Sequence, residues 1–358
     1  MQQRPGYERN GWMNATPQAS THLRYLSQNT LENLQLTTKA VVESIEHLLL
    51  DCLQSQAWNA PKAVITPPDG RYIMATLAAA NNPPFLTVKS LLLNPRNPER
   101  GLKSINAWVM LHDSDTGLPL ALLDGNWITA VRTAGLSAVA ARRLARADSS
   151  IAAFIGCGVQ AHSHLHAFAE IFPLQQVRAF SRGYANRDTF CQTAEEMGLS
   201  AMACNTAQEA IKEADLIITS VTLSPQLVPF LDAQWLKPGA FATMTDLAAS
   251  WLTDGMSAFN RVIIDDQVQE SSMPTPLVDP ALVTGDLSGL VSGASAGRQN
   301  KDERTAFVFR GLALGDLAVA ALAYQRASQL SRGRQIEFQE ASVECKTSWT
   351  RQHKSPLR

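Results

Sequence analysis

No two cysteines in this 358-residue chain are spaced as Cys-x-x-Cys, and their number, five, is odd. Cys52, Cys157, Cys191, Cys204 and Cys345 therefore read as reduced thiols. That excludes a disulfide framework and a cysteine-rich zinc site, and points to a cytoplasmic setting. An excess of charge is also missing. The 31 basic residues face 32 acidic ones for a formal net charge of −1, so nothing marks nucleic acid as a partner. No apolar run reaches membrane-spanning length and no leader-like apolar segment opens the chain, so a chain that works away from membranes is expected. Aromatics are sparse at 7%, yet hydrophobic residues reach 45% against 18% charged, enough to bury the cores of two domains. The opening stretch, residues 1–20, is polar and rich in Gly, Pro, Asn and Gln, the composition of a flexible tail.

Hydrophobic spacing divides what remains. Val41, Val42, Ile45, Leu48, Leu49 and Cys52 recur every three or four residues and predict a helix over 30–52. Strand-like runs at 62–66, 72–77, 85–92, 106–112 and 118–123 follow, separated by Pro-, Asn- and Gly-containing turns. They predict an α+β domain on a mostly antiparallel sheet. The Ala-rich stretch 128–145 reads as a buried helix. Beyond it, apolar runs at 151–155, 177–180, 215–221, 240–244 and 261–264 alternate with helical or loop segments, the pattern of a parallel, doubly wound α/β sheet. A last apolar helix is expected over 306–327, with Gly311 and Gly315 marking close packing, and returns to the first domain. The expected division is 21–130 with 312–358 in one domain and 131–311 in the other.

Gly156-Cys157-Gly158-Val159-Gln160-Ala161 fits G-x-G-x-x-A directly after the strand-like run 151–155 and at the start of a helix. The first glycine permits a tight turn, the second lets a pyrophosphate approach the backbone, and the small third residue lets helix and strand pack closely. Free N–H groups at the helix start would face the phosphates. A glycine-rich turn without a ligand is the alternative. Some twenty residues on, where an NAD enzyme places an acid, the chain reads Phe180-Ser181-Arg182-Gly183, with no Asp or Glu between Glu170 and Asp188. Ser181 and Arg182, with Arg187 nearby, suit a 2′-phosphate, so NADPH is the expected cofactor and NADH a possible one. Thr222, just past the run 215–221, is a further candidate for cofactor contact.

Lys89 interrupts the apolar run Phe85-Leu86-Thr87-Val88-Lys89-Ser90-Leu91, and Arg132 lies near the start of the apolar helix. Charges in such places need partners. On pattern alone each is either half of a structural ion pair or a group that recognises a substrate carboxylate. His162, His164 and His166 lie together on the helix after the glycine turn, but no nearby Glu or Cys completes a ligand set, and no metal is expected. Asp265-Asp266 ends a strand-like run and reads as a loop cap.

Lys89, Asn94-Pro95-Arg96-Asn97, Gly117-Leu118-Pro119-Leu120-Ala121-Leu122-Leu123-Asp124-Gly125, Thr129-Ala130-Val131-Arg132-Thr133-Ala134, the glycine turn and Leu312-Ala313-Leu314-Gly315-Asp316-Leu317-Ala318 form an ordered series. Over residues 62–327 it resembles the ornithine cyclodeaminase/mu-crystallin family. The resemblance implies a Rossmann domain, a substrate and dimerisation domain built from both chain ends, a homodimer, and nicotinamide-dependent chemistry at the C–N bond of a small imino or amino acid. It implies that Lys89 and Arg132 hold the substrate carboxylate, with Lys62 in place of the family's first arginine. Lys89 either completes the clamp or donates a proton. The family's catalytic aspartate falls on Ala248, while Asp246, two residues earlier, is a candidate to orient the substrate nitrogen. Tyr72 stands where cyclodeaminases carry a glutamate. These departures point to imine reduction. An ornithine cyclodeaminase-type lyase that recycles bound NAD, and a catalytically silent crystallin-like binder, are the alternatives.

Overall fold

The computed structural model describes residues 22–224 and 226–337. The flexible tail expected over 1–20 and Cys345 lie outside the described residues. The first sheet is built from β1 (His22–Leu26), β2 (Ala57–Asn59), β3 (Ala63–Ile65), β4 (Tyr72–Ala80), β5 (Phe85–Leu93), β6 (Ile105–Asp113), β7 (Pro119–Asp124) and β16 (Arg334–Glu337), the last strand before residue 338. Its order is β16-β1-β7-β6-β5-β4-β2, with β3 also pairing β4. From β7 to β2 every pairing is antiparallel; β1 joins β7 in parallel. Successive side chains on these strands point to opposite faces. One face carries Met74, Thr76, Thr87, Lys89, Val109 and Leu111, all buried.

That face is covered by helices α2 (Thr38–Leu53), α3 (Gly125–Leu144) and α9 (Ala313–Gln329). A short α1 (Gln28–Glu32) precedes α2. The single helix expected over 30–52 is therefore two. Thr37, whose hydroxyl accepts from Ala40 N–H, restarts the chain at α2. α3 begins at Gly125 because Asp124 caps it, accepting from Trp127 N–H at 2.9 Å. No Cβ fits at Gly125, where one would come 2.5 Å from the Ala107 carbonyl carbon. The small residues of α3 and α9 let the two helices pack face to face, and α3 also touches the second sheet.

The second sheet holds β8 (Ile151–Ile155), β9 (Gln176–Phe180), β10 (Ser200–Ala203), β11 (Leu216–Thr219), β12 (Phe241–Met244), β13 (Arg261–Ile264), β14 (Val283–Asp286) and β15 (Thr305–Val308). The order is β10-β9-β8-β11-β12-β15-β13-β14 and every pairing is parallel. Helices α4 (Val159–Ile171), α5 (Tyr184–Glu196), α6 (Ala207–Ile211), α7 (Gln267–Ser271) and α8 (Leu287–Ser292) connect its strands. The order reverses between β8 and β11, the crevice where such sheets take ligands. One expectation fails here. Residues 305–308 are the buried strand β15, and helix begins only at Ala313. A short apolar run looks alike in a buried strand and a buried helix, and Gly311, at φ +92°, separates the two elements.

Candidate active site

β8 runs into Gly156, whose N–H donates to Phe180 O at 2.9 Å. Its φ is +89°, and a Cβ there would stand 2.7 Å from Ser220 O, so only glycine fits this turn. Gly158 is open: nothing lies within 4 Å of where its Cβ would be. No side chain caps α4, whose first turn carries an exposed Val159 and then Gln160, while Ala161 is fully buried against the core. The turn thus leaves backbone N–H groups facing a gap that a phosphate can enter. These features fit a dinucleotide.

The gap opens into a cavity of about 360 Å³. Gly156, Gly158, Ser181, Arg182, Asn186 and Thr222 line it, with Phe180, Val221, Leu227 and Phe230 as apolar walls. Arg182 is exposed and makes no ion pair among the described residues. Arg187 is committed elsewhere: it pairs with Asp188 at 2.8 Å and stacks its guanidinium 4.9 Å from the Tyr184 ring centroid. Cys157, buried beside the turn, has its thiol pushed up to about 12 by burial, so it is not a nucleophile.

The basic residues gather on the buried face of the first sheet. Lys89 on β5 is 1% exposed, and its Nζ lies 2.7 Å from Oδ2 and 2.8 Å from Oδ1 of Asp316 on α9. Arg132 on α3 brings Nε to 3.2 Å from Oδ1 of the same carboxylate, a charge contact without hydrogen-bond alignment. Thr76 on β4, registered opposite Lys89, donates to Oδ2 at 3.2 Å. Burial alone would raise the Asp316 carboxyl, but Lys89 and Arg132 hold it below the usual carboxylate range. Burial draws Lys89 down to about 8 against the upward pull of Asp316.

Lys62 sits one residue before β3, where Ala63 pairs with Ala75, and so falls in the cross-strand row of Thr76 and Lys89. It keeps part of its surface in solvent and donates to Arg310 O. Burial, and then the charge of Arg132, lower it to about 8. Arg310 and Gly311 N–H both donate to Oδ2 of the buried Asp265, at 3.1 and 2.7 Å, while its Oδ1 has no partner. Burial pushes Asp265 up to about 6. Its neighbour Asp266 caps α7.

Asp246 is not in this group. It lies 2% exposed beyond β12, accepting from Thr219 Oγ1 at 2.9 Å and Ser250 Oγ at 2.8 Å. Oδ1 thus ties to the end of β11, and Oδ2 to the loop that carries Leu247 and Ala248 through left-handed conformations. Burial raises its carboxyl against those hydrogen bonds. Tyr72 starts β4 half-buried, its hydroxyl 3.6 Å from Met74 Sδ. His164 is fully buried, bonded to Gln160 O at 2.7 Å and to Ser137 Oγ at 2.8 Å, and burial lowers it to about 4. No group of three His, Cys, Asp or Glu able to hold a metal occurs among the described residues.

Sheet order and glycine turn define a Rossmann-type protein with a second, α+β lobe. The chain belongs to the ornithine cyclodeaminase/mu-crystallin family, whose model matches residues 25–331. It is 30% identical over 262 residues to a Delta(1)-pyrroline-2-carboxylate reductase of Bacillus cereus, covering 71% of this chain and 81% of that protein. Among solved structures it resembles the Thermococcus litoralis Delta(1)-pyrroline-2-carboxylate reductase in complex with NADH and L-proline, with a TM-score of 0.80 and 27% identity over 88% of this chain and all of that one. An archaeal alanine dehydrogenase dimer with bound NAD matches with a TM-score of 0.78 and 26% identity, over 88% of this chain and 99% of that one.

Proposed function

We propose that this chain is a nicotinamide-dependent oxidoreductase that reduces the C=N bond of a small 2-imino acid, or oxidises the matching amino acid. The observation that carries the proposal is the cluster of Lys62, Lys89 and Arg132 with two buried aspartates, Asp316 and Asp265. Counting Lys62, Lys89 and Arg132 against Asp265 and Asp316 leaves one net positive charge, the complement of a single carboxylate. The relatives named above act on or bind such molecules.

The proposed division is 21–130 with 312–358 as substrate lobe and 131–311 as dinucleotide lobe; of these, residues 21, 225 and 338–358 lie outside the described residues. Gly156, Gly158, Val159, Gln160 and Ala161 would hold the pyrophosphate, with Thr222 beside it. Ser181 and Arg182 would hold a 2′-phosphate, which makes NADPH the preferred cofactor over NADH. The bound dinucleotide supplies or accepts the hydride. Arg132 and Lys62 grip the substrate carboxylate, Lys89 completes the clamp from the floor of the site, and Asp316 offsets the repulsion among these cations. Orientation and electrostatic fit supply much of the rate. Ala248 in place of the family aspartate, with Asp246 turned onto Thr219 and Ser250, favours reduction over cyclisation.

We further place the protein in the cytoplasm, in keeping with Cys52, Cys157, Cys191 and Cys204 as free thiols, and as a homodimer. The dimer reading rests on the sheet face opposite α2, α3 and α9. There Leu77, Val88, Met110, Leu122 and Tyr25 form one registered apolar row across five strands, beside Trp108. The test of function is a spectrophotometric screen of NADPH and NADH oxidation against cyclic ketimine carboxylates and 2-oxo acid/amine pairs. Cofactor consumed in proportion to product is expected. Ammonia release from ornithine without net cofactor turnover would overturn the proposal.

A further inference from the structure

The site holds two lysines, and burial draws both well below the ordinary lysine range, so position separates their roles. Lys89 is enclosed. At 1% exposure it spends two contacts on the Asp316 carboxylate, at 2.7 and 2.8 Å, on a face sealed by α3 and α9. A proton that left it would have no path back from water and would strand Asp316 as a buried charge with only Arg132 beside it. Lys62 differs in three ways. It makes no ion pair among the described residues, and the acceptor it has is the neutral carbonyl of Arg310. Part of it meets solvent. The charges around it come from four other elements: Arg132 on α3, Asp265 after β13, Lys89 on β5 and Asp316 on α9, two of each sign.

We propose that Lys62 is the proton donor of the reaction, delivering a proton from Nζ to the substrate nitrogen, while Lys89 is a fixed, permanently paired member of the carboxylate clamp. The proposal rests on the reading of the chain as an imine reductase. The step balances simply. The imine nitrogen uses its lone pair to form an N–H bond, and the Nζ–H bond breaks with its electrons staying on Lys62. The imine carbon, now electrophilic, takes hydride from a reduced nicotinamide dinucleotide. Neutral Lys62 regains a proton from water at its exposed side. An arginine at this position, as the family resemblance implies elsewhere, grips a carboxylate but cannot release a proton near neutral pH. The lysine therefore adds a function to the clamp in this chain.

The experiment compares wild type with Lys62→Arg and Lys62→Met. NMR titration of the lysine Nζ signals, with Lys62 assigned by its absence from the Arg variant, needs no turnover. A midpoint near 8 is expected, and an ordinary value above 10 would overturn the proposal. With NADPH and Delta(1)-pyrroline-2-carboxylate, wild-type kcat/KM should fall on the alkaline side along the same midpoint, since it reports groups of the free enzyme. Lys62→Arg should keep its KM within a few-fold but lose about a hundredfold in kcat, the usual worth of a general acid. A Lys62→Arg enzyme with wild-type kcat, or one that keeps the alkaline limb, would refute the proton role. If wild type reduces no ketimine at all, the imine-reductase reading itself fails and this proposal falls with it, a result distinct from a midpoint above 10.

Discussion

Gly311 lies against the guanidinium of Arg132 so closely that a Cβ on it would stand 2.3 Å from Nη1. The missing side chain lets the loop after β15 back the clamp. Gly311→Ala should push the flexible end of Arg132 aside instead of unfolding the protein. The KM for the imino acid should then rise about tenfold, the worth of one charge-assisted hydrogen bond. The φ of +92° adds strain of roughly 1–2 kcal/mol, visible in urea unfolding. Steady-state kinetics with unchanged KM would show that Arg132 does not hold substrate.

Asp246 was a candidate for the chemistry, and its neighbours argue otherwise. Each of its oxygens accepts from a hydroxyl of the chain itself. Asp246→Asn should therefore lower stability by about 1–2 kcal/mol through two weakened buried hydrogen bonds. Its kcat should fall less than about tenfold, short of the effect of removing a general acid or base. A loss of about a hundredfold or more with unchanged stability would return Asp246 to the reacting atoms.

Arg182 lines the cavity beside the glycine turn and pairs with no carboxylate among the described residues. Replacing it with alanine should lower kcat/KM for NADPH about tenfold or more while NADH changes by about twofold at most, since only the former offers a 2′-phosphate. Equal losses with both cofactors would remove Arg182 from the recognition of that phosphate.

What was legible in the sequence was what is local. The glycine turn declares itself within six residues because strand, turn and helix start are contiguous, and the structure keeps them so. Lys89 and Arg132 were visible as charges in apolar surroundings, but not their shared partner. Asp316 lies 227 residues from Lys89 in the chain, and no periodicity joins them. The free oxygen of Asp265 was equally invisible, because it depends on β15 lying beside β13. β1 and β16 are short and carry little apolar alternation to read: β16 is exposed throughout, and β1 buries only Leu26 fully. β15 is buried at all four positions, Thr305-Ala306-Phe307-Val308, and so short a run carries no period of its own.

His164 gives stability a pH dependence with a definite sign. Burial lowers its imidazole from 6.5 to about 4 in the folded chain, so the unfolded chain binds the proton more readily. The stabilisation is complete above the unfolded value of 6.5 and is lost as pH falls through the folded value near 4. The loss amounts to about 3 kcal/mol across that window. Urea unfolding at steps between pH 7 and pH 4 should show this limb in wild type and a shallower one in His164→Gln. That variant should also start lower, because Ser137 and Thr243 lose the end of their hydrogen-bonded chain. Parallel curves for the two proteins would show that His164 is not held neutral.

Trp108 tests the open face of the first sheet. It is 43% exposed, near Tyr25 with ring centroids 6.0 Å apart, and it borders the apolar row that no helix of the described chain covers. On the proposed homodimer reading, a second copy would lay an identical apolar face on this row across a two-fold axis. Light scattering should give twice the chain mass for wild type. Trp108→Arg puts a charge beside that row and should shift the protein toward monomer at micromolar concentration, with the same far-UV circular dichroism. Because the mutated side chain points away from Lys89, Arg132 and Asp316, any loss of activity should track the monomer fraction and recover as protein concentration is raised. A wild-type chain that is monomeric at all concentrations, or a Trp108→Arg variant that stays dimeric, would place the dimer contact elsewhere or abolish it.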